Sequence, residues 1–195
     1  MFPAIFRVFL DANVLFPMAV RDTLLRAAEA GLVQPYWSER VLEEMRRNLV
    51  KQGQCSEEQS ARLVAIIHRA FPESLVTGYE QFEASMRNDP DDRHVAAAAL
   101  LAHAQVIVTN NLKHFRKVDL PSSMEAQSAD DFLRHLFDLA PRKMLDVLRR
   151  QAEDKRRPPM TLDQLLDGLS RSVPGFIQDV RGYRALLDSE TGGRA

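Results

Sequence analysis

Cysteine is nearly absent. Cys55 is the single one in 195 residues, so the chain has no disulfide framework and no thiol cluster of the kind that grips zinc. That usage fits a reducing compartment, and the expected location is the cytoplasm. No run of ~18 or more apolar residues occurs, which argues against a membrane span. The apolar start, Met1 to Leu10, is broken by Arg7 and followed at once by Asp11. It lacks a basic leading region and a small-residue cleavage site, so it is not expected to be a signal peptide. Excess charge is missing too. The formal net charge is −1, so no global basic field announces nucleic acid, and any such interaction needs local patches.

What the sequence does have is a regular alternation of short apolar runs and amphipathic stretches. Residues 4–10 are rich in β-formers and read as a buried strand that Asp11 ends. Thr23 to Ala30 reads as a helix closed by Gly31. Val33 to Trp37 reads as a second strand. Ser38 suits the N-cap of a helix whose apolar face is Val41, Leu42, Met45 and Leu49. Ser56 opens another helix carrying Leu63, Ile66, Ile67 and Ala70, and Ser74 to Tyr79 is a strand or a loop. Asp89-Pro90-Asp91-Asp92 is a helix start with acids in the first turn, continued by the alanine-rich stretch to His103. Val106 to Thr109 is a β-branched strand, and Ser128 to Leu139 a further helix. This order predicts an α/β fold with a mostly parallel sheet.

The pattern changes near Pro141. Arg142 to Arg157 reads as one amphipathic helix with Met144, Leu145, Leu148 and Ala152 as its stripe. Thr161 and Gln164 form a capping box for a second, containing Leu162, Leu165, Leu166 and Leu169, and Phe176 to Leu187 makes a third. The expected division is therefore 1–140 for the α/β domain and 141–195 for a helical extension, whose stripes must pack on the α/β core or on a second copy of the chain in a homodimer. Residues 141–195 hold 11 Lys/Arg and 8 Asp/Glu, a net +3, so residues 1–140 carry −1 − 3 = −4. Arg142, Lys143, Arg149 and Arg150 belong to the most basic stretch. It reads as a solvated face, an RNA-binding surface acting through phosphate neutralisation, or a docking surface for a partner helix. No aromatics interleave it, so base stacking is not indicated.

Ligands of parallel α/β sheets gather at the carboxyl ends of strands. Asp11 ends the first strand. Asp89 and Asp92 stand one turn apart at a helix start, and Asn110 and Asn111 follow the Val106 to Thr109 strand. Glu43 or Glu44 lies about one turn into the helix after the second strand. Several carboxylates without a basic partner repel one another unless a cation sits among them, and oxygen donors suit Mg²⁺ or Mn²⁺. Asp89 also suits a helix cap, and Asp91 a solvated first-turn charge. His94 reads as a partly buried helix residue; His68, His103, His114 and His135 lack ligand spacing and read as structural.

The strings Phe9-Leu10-Asp11-Ala12-Asn13-Val14-Leu15, Ser38-Glu39-Arg40-Val41-Leu42-Glu43-Glu44-Met45, Asp89-Pro90-Asp91-Asp92-Arg93-His94-Val95-Ala96-Ala97-Ala98 and Ile107-Val108-Thr109-Asn110-Asn111-Leu112-Lys113-His114-Phe115 resemble the PIN domain family in order and spacing. The resemblance spans about residues 5–140. It implies a three-layer PIN-like fold and a metal-dependent ribonuclease with Asp11, Glu44 and Asp92 as catalytic carboxylates. Asp89 would be an additional metal ligand, and Asn13, Thr109 and Asn111 supporting polar groups. Many members carry Thr-x-Asp after the last core strand, where this chain has Thr109-Asn110-Asn111. The bacterial branch is dominated by VapC-type toxins, which implies an RNA substrate, Mg²⁺ or Mn²⁺ as cofactor and a cognate antitoxin as partner. Two other readings stand beside it. One is a PIN-like interaction module without catalysis. The other is a phosphotransfer receiver with Asp11 as acceptor, which Thr109 and Lys113 suit but which lacks an aspartate ending a middle strand.

Overall fold

The computed structural model describes residues 6–156 and 158–192. Residues 4 and 5 of the first expected strand, and Arg157 of the basic helix, lie outside them. In chain order the elements are β1 (Arg7–Leu10), α1 (Ala12–Leu15), α2 (Met18–Glu29), β2 (Gln34–Ser38), α3 (Glu39–Lys51), α4 (Glu57–Ala70), β3 (Leu75–Val76), α5 (Glu80–Glu83), α6 (Arg93–Leu101), β4 (Val106–Val108), β5 (Glu125–Gln127), α7 (Ala129–Leu139), α8 (Pro141–Glu153), α9 (Leu162–Leu169) and α10 (Pro174–Gly192). They divide into two compact units, one of Met1–Met18 and Val33–Ser128, the other of Ala19–Leu32 and Ala129–Ala195.

The first unit is built on a five-stranded sheet of order β3-β2-β1-β4-β5 in which every pairing is parallel. The chain winds from β1 through β2 to β3, then crosses back to place β4 on the other side of β1. The switch point therefore lies between β1 and β4, where open α/β sheets leave a crevice. Val8, Phe9, Leu10, Ile107 and Val108 are essentially inaccessible, as parallel strands covered on both faces require. Ser38 caps α3 by accepting from the Val41 amide, and the apolar stripe falls as the periodicity predicts: Val41, Leu42, Met45 and Leu49 are all buried. Each stabilises the fold by roughly 1.5–3 kcal/mol. Helix α4 packs on α3 rather than on the sheet, so of its expected apolar set Ile67 is buried while Ile66 is 52% exposed.

Helix α6 shows why the alanines matter. Ala96, Ala97, Ala98 and Ala99 are all fully buried, and the helix packs on β1, β2 and β4. Small side chains let its backbone come close to the sheet, which brings its acidic N-terminus to the strand ends. That start is a single 3₁₀ turn, Pro90–Asp92, capped by Asp89, before α6 proper begins at Arg93.

Among the described residues the named elements of the second unit are all helices, with one isolated bridge between Arg156 and Pro159. Met144, Leu145, Leu148, Ala152, Leu165, Leu166, Leu169, Phe176 and Ile177 are buried, as their stripes predict. The capping box of Thr161 and Gln164 forms. Asp130 of α7 accepts from the Gly175 and Phe176 amides at 3.0 and 2.7 Å, placing a carboxylate on the positive end of α10. A Cβ at Gly175 would stand 3.0 Å from Asp130 Oδ2, so glycine permits this approach. Helix α2 joins the unit through buried polar groups: Thr23 Oγ1 donates to Gln151 Oε1 at 2.8 Å, and Gln151 Nε2 donates to the Ala19 carbonyl at 3.1 Å. Ion pairs of Arg26 with Asp154 (2.8 Å) and Lys155 with Asp22 (3.0 Å) flank them.

Candidate active site

Asp11 leaves the end of β1 at the switch point. It is 5% exposed, and its carboxylate is held at both oxygens. Oδ1 accepts from the Ala12 amide at 2.6 Å; Oδ2 accepts from Asn13 Nδ2 at 2.6 Å and Thr109 Oγ1 at 2.7 Å. Asn13 also donates to Thr109 Oγ1 at 2.9 Å and accepts from the Asn110 amide at 2.9 Å. The ends of β1 and β4 are thus tied by neutral donors that orient the carboxylate without neutralising it. Among the described residues no cationic side chain pairs with Asp11. Burial, and beyond it the charges of Asp92 and Glu44, push its carboxyl from 3.8 up to about 6, against the opposing hydrogen bond from Thr109.

Asp92 stands at the junction of the 3₁₀ turn and α6, with its Oδ2 2.6 Å from His114 Nδ1 and 3.4 Å from Asn111 Nδ2. Asn111 Nδ2 is itself 2.7 Å from the same imidazole nitrogen. Asp89 uses Oδ1 to cap the turn at the Asp91 amide (3.1 Å), and its Oδ2 lies 3.9 Å from His114 Nδ1. So Asp89 both caps and joins the cluster. The donor atoms of Asp89, Asp92 and His114 lie within 4.8 Å of one another, the spacing of a shared cation site.

His114 corrects the expectation that it is merely structural. The signal is local: Leu112–His114 is a 3₁₀ turn that follows Asn111. Residues three apart eclipse in such a turn, so Asn111 and His114 face the same way. The imidazole stands against Asp92 and against Asn111, the residue at the Asp position of the Thr-x-Asp pattern.

Glu43 and Glu44 part as their ~100° separation on a helix demands. Glu43 turns to solvent and chelates Arg46 at 2.7 and 2.8 Å, which holds its carboxyl below the usual range. Glu44 turns inward. Its Oε1 lies 3.3 Å from Arg40 Nε and 3.3 Å from His94 Nε2, and burial raises its pKa, with Asp92 adding to the rise and Arg40 opposing it. His94 is 1% exposed, and burial together with Arg40 lowers its pKa to about 4. The ring is therefore neutral near pH 7. With Nε2–H aimed at Glu44 it fixes that carboxylate, while its Nδ1 has no partner among the described residues. Asp11, Glu44 and Asp92 thus share one field. Arg142, Lys143, Arg149 and Arg150 lie on the exposed face of α8, in the other unit.

The raised Asp11 pKa fixes a sign. The folded carboxyl binds its proton more tightly than the unfolded one, so without metal the fold is most stable below pH 3.8 as far as this group goes. That stability is lost as pH rises to about 6. The difference is on the order of 3 kcal/mol. Thermal unfolding in EDTA from pH 7 to pH 5 is expected to show the wild type gaining stability relative to Asp11→Asn as pH falls. Parallel curves for the two proteins would mean that Asp11 is ionised without penalty.

The sequence pattern of the PIN domain family matches residues 7–113, and that of the VapC50 C-terminal domain matches residues 129–182. The chain is also 40% identical over 115 residues to a Mycobacterium tuberculosis protein named "Putative ribonuclease VapC50", a stretch covering 56% of this chain and 68% of that one. The first match contains Asp11, Glu44, Asp89, Asp92 and Asn111, and ends one residue short of His114. The second begins where α7 begins.

Proposed function

Because the chain belongs to the PIN domain family, we propose that it is a metal-dependent endoribonuclease that hydrolyses RNA phosphodiesters as the toxin of a toxin–antitoxin pair. The observation that carries this reading is the convergence of Asp11, Glu44 and Asp92, where the charge of Asp92 raises the proton affinity of both other carboxylates and no cationic side chain among the described residues pairs with Asp11. Such an arrangement is unfavourable alone and favourable around a divalent cation. Among the described residues no helix is long and apolar enough to cross a membrane.

The donors that lie within 4.8 Å of one another, carboxylate oxygens of Asp89 and Asp92 and an imidazole nitrogen of His114, suit a divalent cation such as Mg²⁺ or Mn²⁺, and Asp11 and Glu44 add negative charge that Asp92 feels. When bound, the cation supplies water activation and charge stabilisation at the phosphate. The chain's own residues do the rest. Asn13 and Thr109 fix the direction of the Asp11 carboxylate. Neutral His94 and Arg40 hold Glu44 within the field of Asp92. Asn111 Nδ2 lies 3.4 Å from Asp92 and helps orient its carboxylate. A cognate antitoxin is the proposed protein partner, and the exposed cations of α8 are one surface it can use.

The purified chain is expected to cleave single-stranded RNA with Mg²⁺ or Mn²⁺ and to stop in EDTA. His114 adds a nitrogen donor, so half-maximal activity should need less Mn²⁺ than Mg²⁺. Cleavage that survives EDTA, or none with either cation, would defeat the proposal; the latter would leave a PIN-like interaction module.

A further inference from the structure

The acidic cluster has a basic neighbour. Asp89 and His114 form part of the wall of a cavity of about 330 Å³ that is also lined by Arg87, Arg93, Lys113 and Arg116. At ~30 Å³ per water this is room for about ten waters, more than one phosphate group fills. Four cations face two carboxylates, Asp89 and Asp119, so the formal charge of the lining is +4 − 2 = +2. Part of that charge is committed. Arg116 Nε pairs with Asp119 at 2.6 Å, and Arg93 Nε lies 3.4 Å from the Asn88 carbonyl. Arg87 and Lys113 are exposed and have no ion pair among the described residues.

A second observation is independent of charge. Asn88 lines the same cavity and is 2% exposed, yet among the described residues neither its amide nitrogen nor its amide oxygen has a hydrogen-bond partner. An unsatisfied buried amide costs about 1–3 kcal/mol. Both amide atoms are almost inaccessible, so the N–H reaches an acceptor in the neighbouring cavity only if the side chain turns toward it. Phosphate oxygens accept from cations and from amide N–H groups alike.

Resting on the ribonuclease reading above, we propose that this cavity is a phosphate subsite for single-stranded RNA, holding the phosphodiester next along the strand from the one that is cut. The carboxylates that bind the cation would repel an RNA backbone on either side of it. The cavity supplies opposite charge at the position where the strand leaves the cluster, since Asp89 and His114 belong to both. Lys113 and His114 are consecutive in one 3₁₀ turn, so the phosphate clamp and the metal ligand are set by the same piece of backbone.

The test compares the full wild-type chain with Arg87→Ala/Lys113→Ala on a single-stranded RNA oligonucleotide at saturating Mn²⁺ and two salt concentrations. The expected result is a KM about tenfold higher at low salt with kcat within about twofold. The salt dependence of KM should be shallower by about 0.7 in log–log slope for each phosphate that is no longer neutralised. The shift in melting temperature produced by Mn²⁺ alone should be unchanged, because neither side chain belongs to the ligand set. Arg142→Ala/Lys143→Ala removes the same charge from α8 and should change KM less. A wild-type KM and slope in the Arg87/Lys113 variant would overturn the subsite, as would an equal or larger effect of the α8 pair. A wild-type chain that neither binds nor cuts RNA would overturn the ribonuclease reading itself.

Discussion

Asp92→Ala is expected to lower RNA cleavage by at least a factor on the order of 10²–10³, the range seen when one preorganised electrostatic group is removed from a reacting centre. The fold should survive. Asp92 precedes α6 but makes no capping hydrogen bond, so its loss leaves no helix amide newly unsatisfied. Its charge raises the proton affinity of both Asp11 and Glu44. Without metal the variant should therefore melt at or above the wild-type temperature, and the stabilisation that Mn²⁺ gives the wild type should shrink. Cleavage rates and melting curves with and without Mn²⁺ read both effects. Wild-type cleavage by this variant would move the reacting centre away from the β1–β4 crevice.

Glu44→Gln and Glu43→Gln should differ by roughly a hundredfold in cleavage, the scale of one electrostatic group at a reacting centre, although they are neighbours. Glu44 is the carboxylate in the shared field, held by Arg40 and His94. The amide keeps its size and loses its charge, so the fold should change little while the cation site loses negative charge. Glu43 is 43% exposed and chelates Arg46 on the outer face of α3. Its loss should leave cleavage within about twofold and stability within about 1 kcal/mol, as for other exposed ion pairs. The opposite ranking would mean that α3 presents its other face to the substrate.

Much of this was legible in the sequence because it rests on local rules. Asp11 ends a run of apolar β-formers, Ser38 caps a helix whose stripe is Val41, Leu42, Met45 and Leu49, and Pro90 with its flanking acids opens another. Each is decided within a few residues, and the parallel sheet then brings the three pieces to one edge. What was not legible depends on distance in the chain. His114 carries no spacing motif, and its role follows from a 3₁₀ turn whose register against Asp92 is set by the packing of α6 on β4. Asn88 reads as an ordinary loop residue until its burial is known. The two short strands, Leu75–Val76 and Glu125–Gln127, have two and three residues. Runs that short give periodicity too little length to show itself, and pairing at the sheet edges defines them instead.

The polar tie between Thr23 and Gln151 joins residues 128 positions apart. A ribosome adds about 5–20 residues per second, so α2 leaves it roughly 6–26 s before its partner helix is made. During that interval Val20, Leu24 and Ala27, all inaccessible in the finished protein, have nothing to bury them within their own unit. The stretch bearing the acidic cluster, by contrast, is fully synthesised once Ser128 has been added. Birth order therefore runs opposite to position: a helix near the amino terminus is among the last pieces to find its place, and slowing synthesis between Ser128 and Gln151 would lengthen its wait without touching the carboxylates.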